Sequence, residues 1–101
     1  LNRELDKAMD DCNAALRAQP RDAAILDSRA LIRVRRGEWQ QAMADYNAAL
    51  TITPRSAWSL YMRGLVEAKS GQDAQAKADR AAAIAIDPKV ADRAKKYGLE
   101  G

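Results

Sequence analysis

The sequence predicts an all-α fold, a solenoid built from antiparallel helix pairs. The 101-residue chain has three prolines, Pro20, Pro54 and Pro88, and they are spaced 34 residues apart. Similar stretches lead to each of them: AMDDCNAALRAQP, AMADYNAALTITP and AKADRAAAIAIDP. A fixed period of this length is typical of helical repeat proteins, in which each repeat buries its apolar side against the next.

The composition favours helices that pack closely through small side chains. Hydrophobic residues make up 48% of the chain, much of that fraction is alanine, and phenylalanine is absent. The net charge is +3, from 17 basic and 14 acidic residues. Because nucleic-acid-binding domains usually carry a dense basic face, this mild charge does not favour that class. The length corresponds to a single domain.

The first predicted helix, 2–18, matches only the second helix of the later units. It carries one apolar stripe, made of Leu5, Ala8, Met9, Cys12 and Leu16. A partner helix would precede it in a complete unit, so we expect upstream residues or a second copy of the chain to cover the stripe. The chain begins at Leu1, not at a methionine, and we interpret it as a fragment or processed form.

Two further helices, 23–36 and 38–52, form the first complete unit. Asp22 stands where a side-chain oxygen can accept from the first-turn amides. The apolar stripe recurs every four residues: Leu26, Ala30 and Val34. Gly37 favours the left-handed conformation at a helix end, and Pro54 disfavours a helical residue before it. These signals predict a helix, a tight break and a second helix.

The next unit follows the same plan with helices at 57–70 and 72–86. Ser56 is the candidate cap, Gly71 the break and Pro88 the stop. The pairs Arg29-Ala30 and Arg63-Gly64 are equivalent, and the small residue of each pair should let its two helices approach closely. A polar helix at 88–97 should follow, with Asp87 as its cap and proline in its first turn. Solenoids need such a polar end helix to cover the last repeat.

These features resemble the tetratricopeptide repeat family. The landmark residues are Ala30, Gly37, Trp39, Ala42, Tyr46, Ala49, Pro54, Gly64, Gly71, Ala76, Ala83 and Pro88. The resemblance implies a right-handed α-solenoid with two full repeats (23–56 and 57–90), an N-terminal half repeat (1–22) and a C-terminal capping helix (91–101). The period of 34 favours this family over the RNA-binding pentatricopeptide repeats, whose period is usually 35.

Three charged residues depart from the family pattern. Arg80 stands where Tyr46 and Cys12 stand in the other copies, an unexpected charge at a usually buried position. Arg33 and Glu67 are equivalent to each other and occupy a position that is often aromatic in the family. The last repeat is therefore the less typical one, as expected beside a terminal cap.

The sequence contains no recognisable catalytic or metal-binding set. Histidine is absent, so a Ser-His or Cys-His pair cannot be built. Cys12 is the only cysteine, which excludes an internal disulfide and the common zinc sites. Its equivalence to Tyr46 favours a small buried hydrophobe over a reactive thiol. We therefore predict a non-enzymatic protein without cofactor or metal. The chain also lacks an apolar run long enough to cross a membrane.

Repeated charges predict a structural ladder between helices. Arginine recurs at Arg29 and Arg63, and aspartate recurs at Asp11, Asp45 and Asp79. Antiparallel geometry places Arg29 level with Asp45 and Arg63 level with Asp79, although contacts with the preceding repeat (Asp11 or Asp45) stay open. The alternative is that the basic stretch 29–37 is a patch for an anion or acidic partner, for which Arg35 and Arg36 remain candidates.

The resemblance implies protein–protein recognition, with a peptide or partner helix bound in a concave groove lined by the first helices. On this chain the groove residues are expected to be Asp27, Leu31, Val34, Arg35, Trp58, Tyr61, Leu65, Lys69 and Lys95. Trp58 and Tyr61 lie three residues apart and could anchor a partner. An equally weighted alternative is that Trp58 packs under the end helix.

Three functional hypotheses follow. The first is a non-catalytic adaptor that binds a protein or peptide, with possible self-association through helix 1–18. The second is a docking segment of a larger enzyme or of a secretion or assembly machine. A weaker third is contact with an anion or nucleic acid through Arg33–Arg36.

Overall fold

The computed structural model describes residues 3–99 and contains six α-helices in that range. They are α1 (Arg3–Ala18), α2 (Ala23–Arg35), α3 (Trp39–Ile52), α4 (Ala57–Lys69), α5 (Asp73–Ile86) and α6 (Val90–Lys96). Strands are absent from this part of the chain. The predicted all-α fold is therefore confirmed, and each described helix begins and ends within two residues of its predicted bounds.

The chain divides into two compact units, one up to Thr53 and one from Pro54 onward. In the first unit, α2 and α3 form a hairpin and α1 packs against α2. Leu16, Leu26 and Ala49 form a buried cluster that joins the three helices. Small side chains lie between α2 and α3 in this hairpin, since Ala30 of α2 and Ala42 of α3 are both fully buried.

The second unit consists of the α4–α5 hairpin and the short helix α6, which packs against both of its helices. Nine of the 13 residues of α4 are buried, so this helix is the centre of the unit. Two residues of α6, Val90 and Ala94, are fully buried, and Leu99 after it is buried as well. The end helix thus covers apolar surface, although most of its own residues are polar.

Helices α4 and α5 approach each other closely at Gly64. A Cβ atom at this position would lie 3.0 Å from Cγ of Arg80 and 3.2 Å from the carbonyl oxygen of Ala76. Both distances are tighter than ordinary van der Waals contacts. The expected role of a small residue here is consistent with this geometry.

The helix starts follow the predicted caps, with one shift. Oδ1 of Asp22 accepts from the amide of Ile25 at 3.1 Å, and Oγ of Ser56 accepts from the amide of Ser59 at 3.2 Å. Helix α6 was expected from residue 88 but begins at Val90. Oδ1 of Asp87 accepts from the amide of Lys89 at 3.0 Å, so the aspartate caps a turn that precedes the helix.

Three glycines end α2, α4 and α6 with the same turn. Gly37, Gly71 and Gly98 have φ angles of 72°, 80° and 74°. After each glycine, the next amide donates at 2.8 Å to the carbonyl oxygen five residues before it. This is the Schellman arrangement, which satisfies carbonyl groups that a helix end leaves unpaired.

Replacing Gly37 with alanine should lower the free energy of unfolding by about 1–2 kcal/mol, because a residue with a Cβ is strained at this positive φ. No neighbouring atom lies within 4 Å of the added Cβ, so the cost comes from the backbone alone. Gly37→Asn should lose less, because asparagine tolerates the left-handed region better than alanine. Urea denaturation followed by circular dichroism measures both variants. Equal stability of both variants and the parent would contradict the strain argument.

Candidate functional site

The first hairpin is tied together by an arginine fork on a buried aspartate. Nε and Nη2 of Arg29 donate to Oδ2 and Oδ1 of Asp45, at 2.9 and 2.8 Å. Nη1 of Arg29 donates to Oδ1 of Asn13 on α1 at 3.0 Å, which joins the three helices of the unit. Nη1 of Arg33 lies 3.4 Å from Oδ2 of the same aspartate. The predicted Arg29–Asp45 contact is confirmed, and it lies within one hairpin.

The second hairpin repeats the fork. Nε and Nη2 of Arg63 donate to Oδ2 and Oδ1 of Asp79, at 2.6 and 2.9 Å. The hydrogen bonds to aspartate raise the pKa of the guanidinium groups of both Arg29 and Arg63. Burial opposes this shift but is the smaller effect. The structural interpretation of the two repeated arginines is therefore confirmed. Bidentate pairs of this kind have a defined geometry and help to fix helix register.

The second hairpin also differs from the first at one position of this network. Glu67 occupies the repeat position of Arg33, and its carboxyl group is hydrogen-bonded to Asp79. Burial, followed by this hydrogen bond and by the charge of Asp79, raises the pKa of Glu67 to about 7. Burial opposes ionisation of Asp79, but the hydrogen bonds from Arg63 and Glu67 outweigh it and lower the pKa of Asp79.

The basic stretch of α2 is partly neutralised inside its own unit. Arg33 contacts Asp45 and also donates to the carbonyl oxygen of Gln41 at 3.4 Å. Nε of Arg36 lies 3.3 Å from Glu38, and its Nη1 lies 3.8 Å from Asp6. Arg35 is exposed. Since two of the three arginines face carboxylates, the arrangement argues against a continuous anion or nucleic-acid surface here.

On α2, the predicted groove residues have different degrees of exposure. Arg35 is exposed, Asp27 and Leu31 are half-buried, and Val34 is buried. Asp27, Leu31 and Arg35 are spaced four residues apart, so they share one side of the helix. This stripe, which we call the α2 surface stripe (Asp27, Leu31 and Arg35), combines an apolar side chain with charges of both signs.

On α4, the aromatic residues have contacts within their own unit. The rings of Trp58 and Tyr97 meet edge to face with centroids 6.0 Å apart, and the guanidinium of Arg93 lies 5.7 Å from the centroid of Trp58. Arg93 is held by Asp87 at 3.1 Å. This is the alternative in which Trp58 packs under the end helix, although the tryptophan is only half-buried.

The other predicted groove residues of the second unit fall into two groups. Tyr61 and Leu65 are buried, with 9% and 3% of their surface exposed. Lys69, at the end of α4, and Lys95, on α6, are exposed. A partner can therefore contact both lysine side chains, but it can contact Tyr61 and Leu65 only at the small part of their surface that is exposed.

The arginine of the last repeat is accommodated by an aromatic ring. The guanidinium of Arg80 lies 5.5 Å from the ring centroid of Tyr61. Its Nε and Nη2 are buried without a hydrogen-bond partner. The face of an aromatic ring attracts a cation, which offsets part of the cost of burying the charge. Sequence reasoning identified the unexpected charge but not this partner.

The family comparison concerns the centre of the chain. Residues 30–71 match a family model described as a TPR repeat. This segment, less than half of the chain, is similar to the tetratricopeptide repeat. The matched segment runs from within α2 to the glycine after α4, so outside it the repeat assignment rests on the sequence period and on the hairpins themselves. A comparison with curated protein sequences found no match.

The buried tyrosine of the matched tetratricopeptide repeat is part of the scaffold. Tyr46 has no exposed surface, and its hydroxyl group makes no hydrogen bond. Burial, and then the charges of Asp27 and Asp45, raise its pKa. The side chain thus acts as a neutral packing element between the helices.

The single thiol of the chain lies at a shallow surface groove. Cys12 is half-buried, and burial raises its pKa above the ordinary value. A thiol with a raised pKa is a poor nucleophile at neutral pH. The groove has a volume of about 300 Å³ and is lined by Asp11, Cys12, Ala15, Asp22, Ala24, Ile25 and Ser28. This environment favours packing over reactivity.

Residues 3–99 contain neither a metal-binding cluster nor a membrane-spanning helix. That range contains no group of three or more histidine, cysteine, aspartate and glutamate side chains able to hold a metal ion. None of its helices has both the length and the apolar character needed to cross a membrane.

Replacing Asp45 with asparagine should destabilise the protein by roughly 2–3 kcal/mol, because two guanidinium groups would lose their buried carboxylate. Asp11 offers a matched control at the equivalent repeat position. Its side chain is 68% exposed and lies 3.5 Å from Nζ of Lys7, which is also exposed. Asp11→Asn should therefore change stability by less than about 0.5 kcal/mol. Chemical denaturation of both variants measures the difference, and equal losses would contradict a structural role for the fork.

Proposed function

We propose that this chain is a non-catalytic interaction module that binds a peptide or partner helix through its first helices, α2 and α4. Tetratricopeptide repeats are in general protein–protein interaction modules without catalytic activity. Support for the proposal comes from the different contacts made by the two sides of α2. One side of the helix is committed to the fork on Asp45, while the α2 surface stripe leaves Leu31 half-exposed between Asp27 and Arg35.

The chemistry of the α2 surface stripe indicates the kind of partner. Covering a half-exposed leucine with an apolar side chain is favourable, by about 25 cal/mol for each Å² of apolar surface removed from water. The exposed Arg35 lies one turn from Leu31, so an amphipathic segment with an acidic residue one turn from an apolar one fits the stripe. Charges at the edge of such a contact contribute more to orientation and specificity than to affinity.

In this proposal the second unit contributes mainly through its exposed lysines. Lys69 and Lys95 can contact acidic groups of the partner, while Trp58 offers only the part of its ring that α6 leaves uncovered. Val34 in the first unit and Tyr61 and Leu65 in the second are buried, so each offers a partner little contact area. We therefore expect substitutions at Leu31 and Arg35 to affect binding more than substitutions at the α4 aromatics.

A selection from random peptides displayed on phage tests the proposal. Peptides selected on the intact chain should bind Leu31→Asp and Arg35→Glu at least tenfold more weakly, which corresponds to about 1.4 kcal/mol or more. Lys77→Glu is the charge-matched control, because Lys77 is exposed on α5. Fluorescence anisotropy gives the dissociation constants, and circular dichroism confirms that each variant is folded.

Two outcomes would contradict this function. One is a set of peptides that bind Leu31→Asp and the parent equally well. The other is a set whose binding is lost only with Lys77→Glu, because that would place the binding surface on α5.

Self-association through residues 1–18 is a second interaction that we propose. In α1, Met9 and Leu16 are buried, while Leu5, Ala8 and Cys12 are half-buried. Part of the predicted stripe is thus covered within the unit, and the remainder could be covered by a second copy. Light scattering should give twice the monomer mass for the parent and the monomer mass for Leu5→Glu. A monomer at every concentration tested for the parent would exclude this contact.

A further inference from the structure

We propose that the α4–α5 hairpin contains a proton-dependent element that the α2–α3 hairpin lacks. Glu67 holds a proton and donates it to a hydrogen bond with Asp79. Release of this proton places two carboxylates beside one arginine and loosens the packing of α4 against α5.

The geometry of the cluster leaves no room for two fully solvated carboxylates. Glu67 and Asp79 expose only 7% and 9% of their surface. Arg63 uses Nε and Nη2 on the two oxygens of Asp79. One oxygen of Glu67, Oε1, is buried without a hydrogen-bond partner. An ionised carboxylate in this position lacks both water and sufficient donors, and that is costly, whereas the neutral acid is tolerated.

The first hairpin provides an internal comparison. There the position equivalent to Glu67 is Arg33, whose Nη1 lies 3.4 Å from Oδ2 of Asp45. The cluster of the first hairpin therefore contains two cations and one carboxylate. The cluster of the second contains one cation and two carboxyl groups, so it becomes neutral only when one of them keeps its proton.

The charged groups around Glu67 point to the same protonation state. Arg63 lies one turn earlier on α4 and is engaged with Asp79. On α5, Asp79 is the hydrogen-bonded neighbour, and Arg80 is directed at the ring of Tyr61. On α6, Arg93 contacts the carboxylate of Asp87 and the ring of Trp58. Within the second unit, the contacts described for Arg80 and Arg93 are thus with groups other than Glu67.

The pH window follows from the direction of the shift. The pKa of Glu67 is about 7 in the folded hairpin, against an ordinary value of 4.5. Its stabilising contribution is complete below pH 4.5, declines as the pH rises toward 7 and changes little above that. The pKa of Asp79 is lowered from 3.8, so its own contribution is lost only under more acidic conditions. Hairpin opening should become on the order of tens-fold more favourable between pH 5 and pH 7.

Amide hydrogen exchange on the intact chain tests this inference, because it reports opening of each hairpin separately. After correction for the pH dependence of intrinsic exchange, amides of α4 and α5 should lose protection between pH 5 and pH 7, and amides of α2 and α3 should not. Glu67→Gln should remove the pH dependence, since glutamine can donate to Asp79 at any pH. Arg33→Gln is the matched control at the equivalent position and should leave the α4–α5 response intact.

A measurement on the unaltered chain keeps the inference testable if a variant does not fold. The carboxyl ¹³C shift of Glu67 should titrate with a midpoint near pH 7, accompanied by a smaller change at Asp79. A midpoint below about pH 5, near the ordinary range for glutamate, would overturn the proposal. So would a pH response of the α4–α5 amides that persists unchanged in Glu67→Gln.

Discussion

The scaffold depends on one interaction, an arginine fork on a buried aspartate between the two helices of each hairpin. The fork requires Nε and Nη2 of one arginine to meet both oxygens of one carboxylate, which is possible at only one register of the two helices. Apolar contacts between alanines tolerate sliding more readily than this directional pair does. The fork therefore specifies the alignment, while burial of Ala30, Ala42 and Tyr46 supplies the apolar contribution to stability.

Much of the fold could be predicted because the determining signals are local. A glycine with φ near 72° ends α2, and Asp22 and Ser56 cap the helices that follow them. Each of these effects depends on a few neighbouring residues, and the 34-residue period repeats them. The Arg29–Asp45 contact was also predictable, because repetition at the same spacing indicates a shared structural role.

The environment of individual side chains was less predictable. Trp58 could be assigned to a binding groove or to the end helix from sequence, and only the position of Arg93 and Tyr97 distinguishes them. The interaction of Arg80 with Tyr61 depends on ring orientation, which periodicity does not contain. The same holds for Glu67, whose raised pKa depends on burial and on its hydrogen bond with Asp79. Residue type and spacing do not determine which polar atoms remain without water or partners.

Each hairpin contains its own start, stop and alignment device within about one sequence period. The side-chain cap, the glycine turn and the arginine fork all lie inside the segment that they organise. Such a segment is a cassette, because duplicating it also duplicates these local signals. A single substitution then gives one copy a property that its sibling lacks, as glutamate in place of arginine does in the second hairpin. In engineered arrays of these cassettes, a loss of stability toward neutral pH could be placed in a chosen repeat by changing one codon.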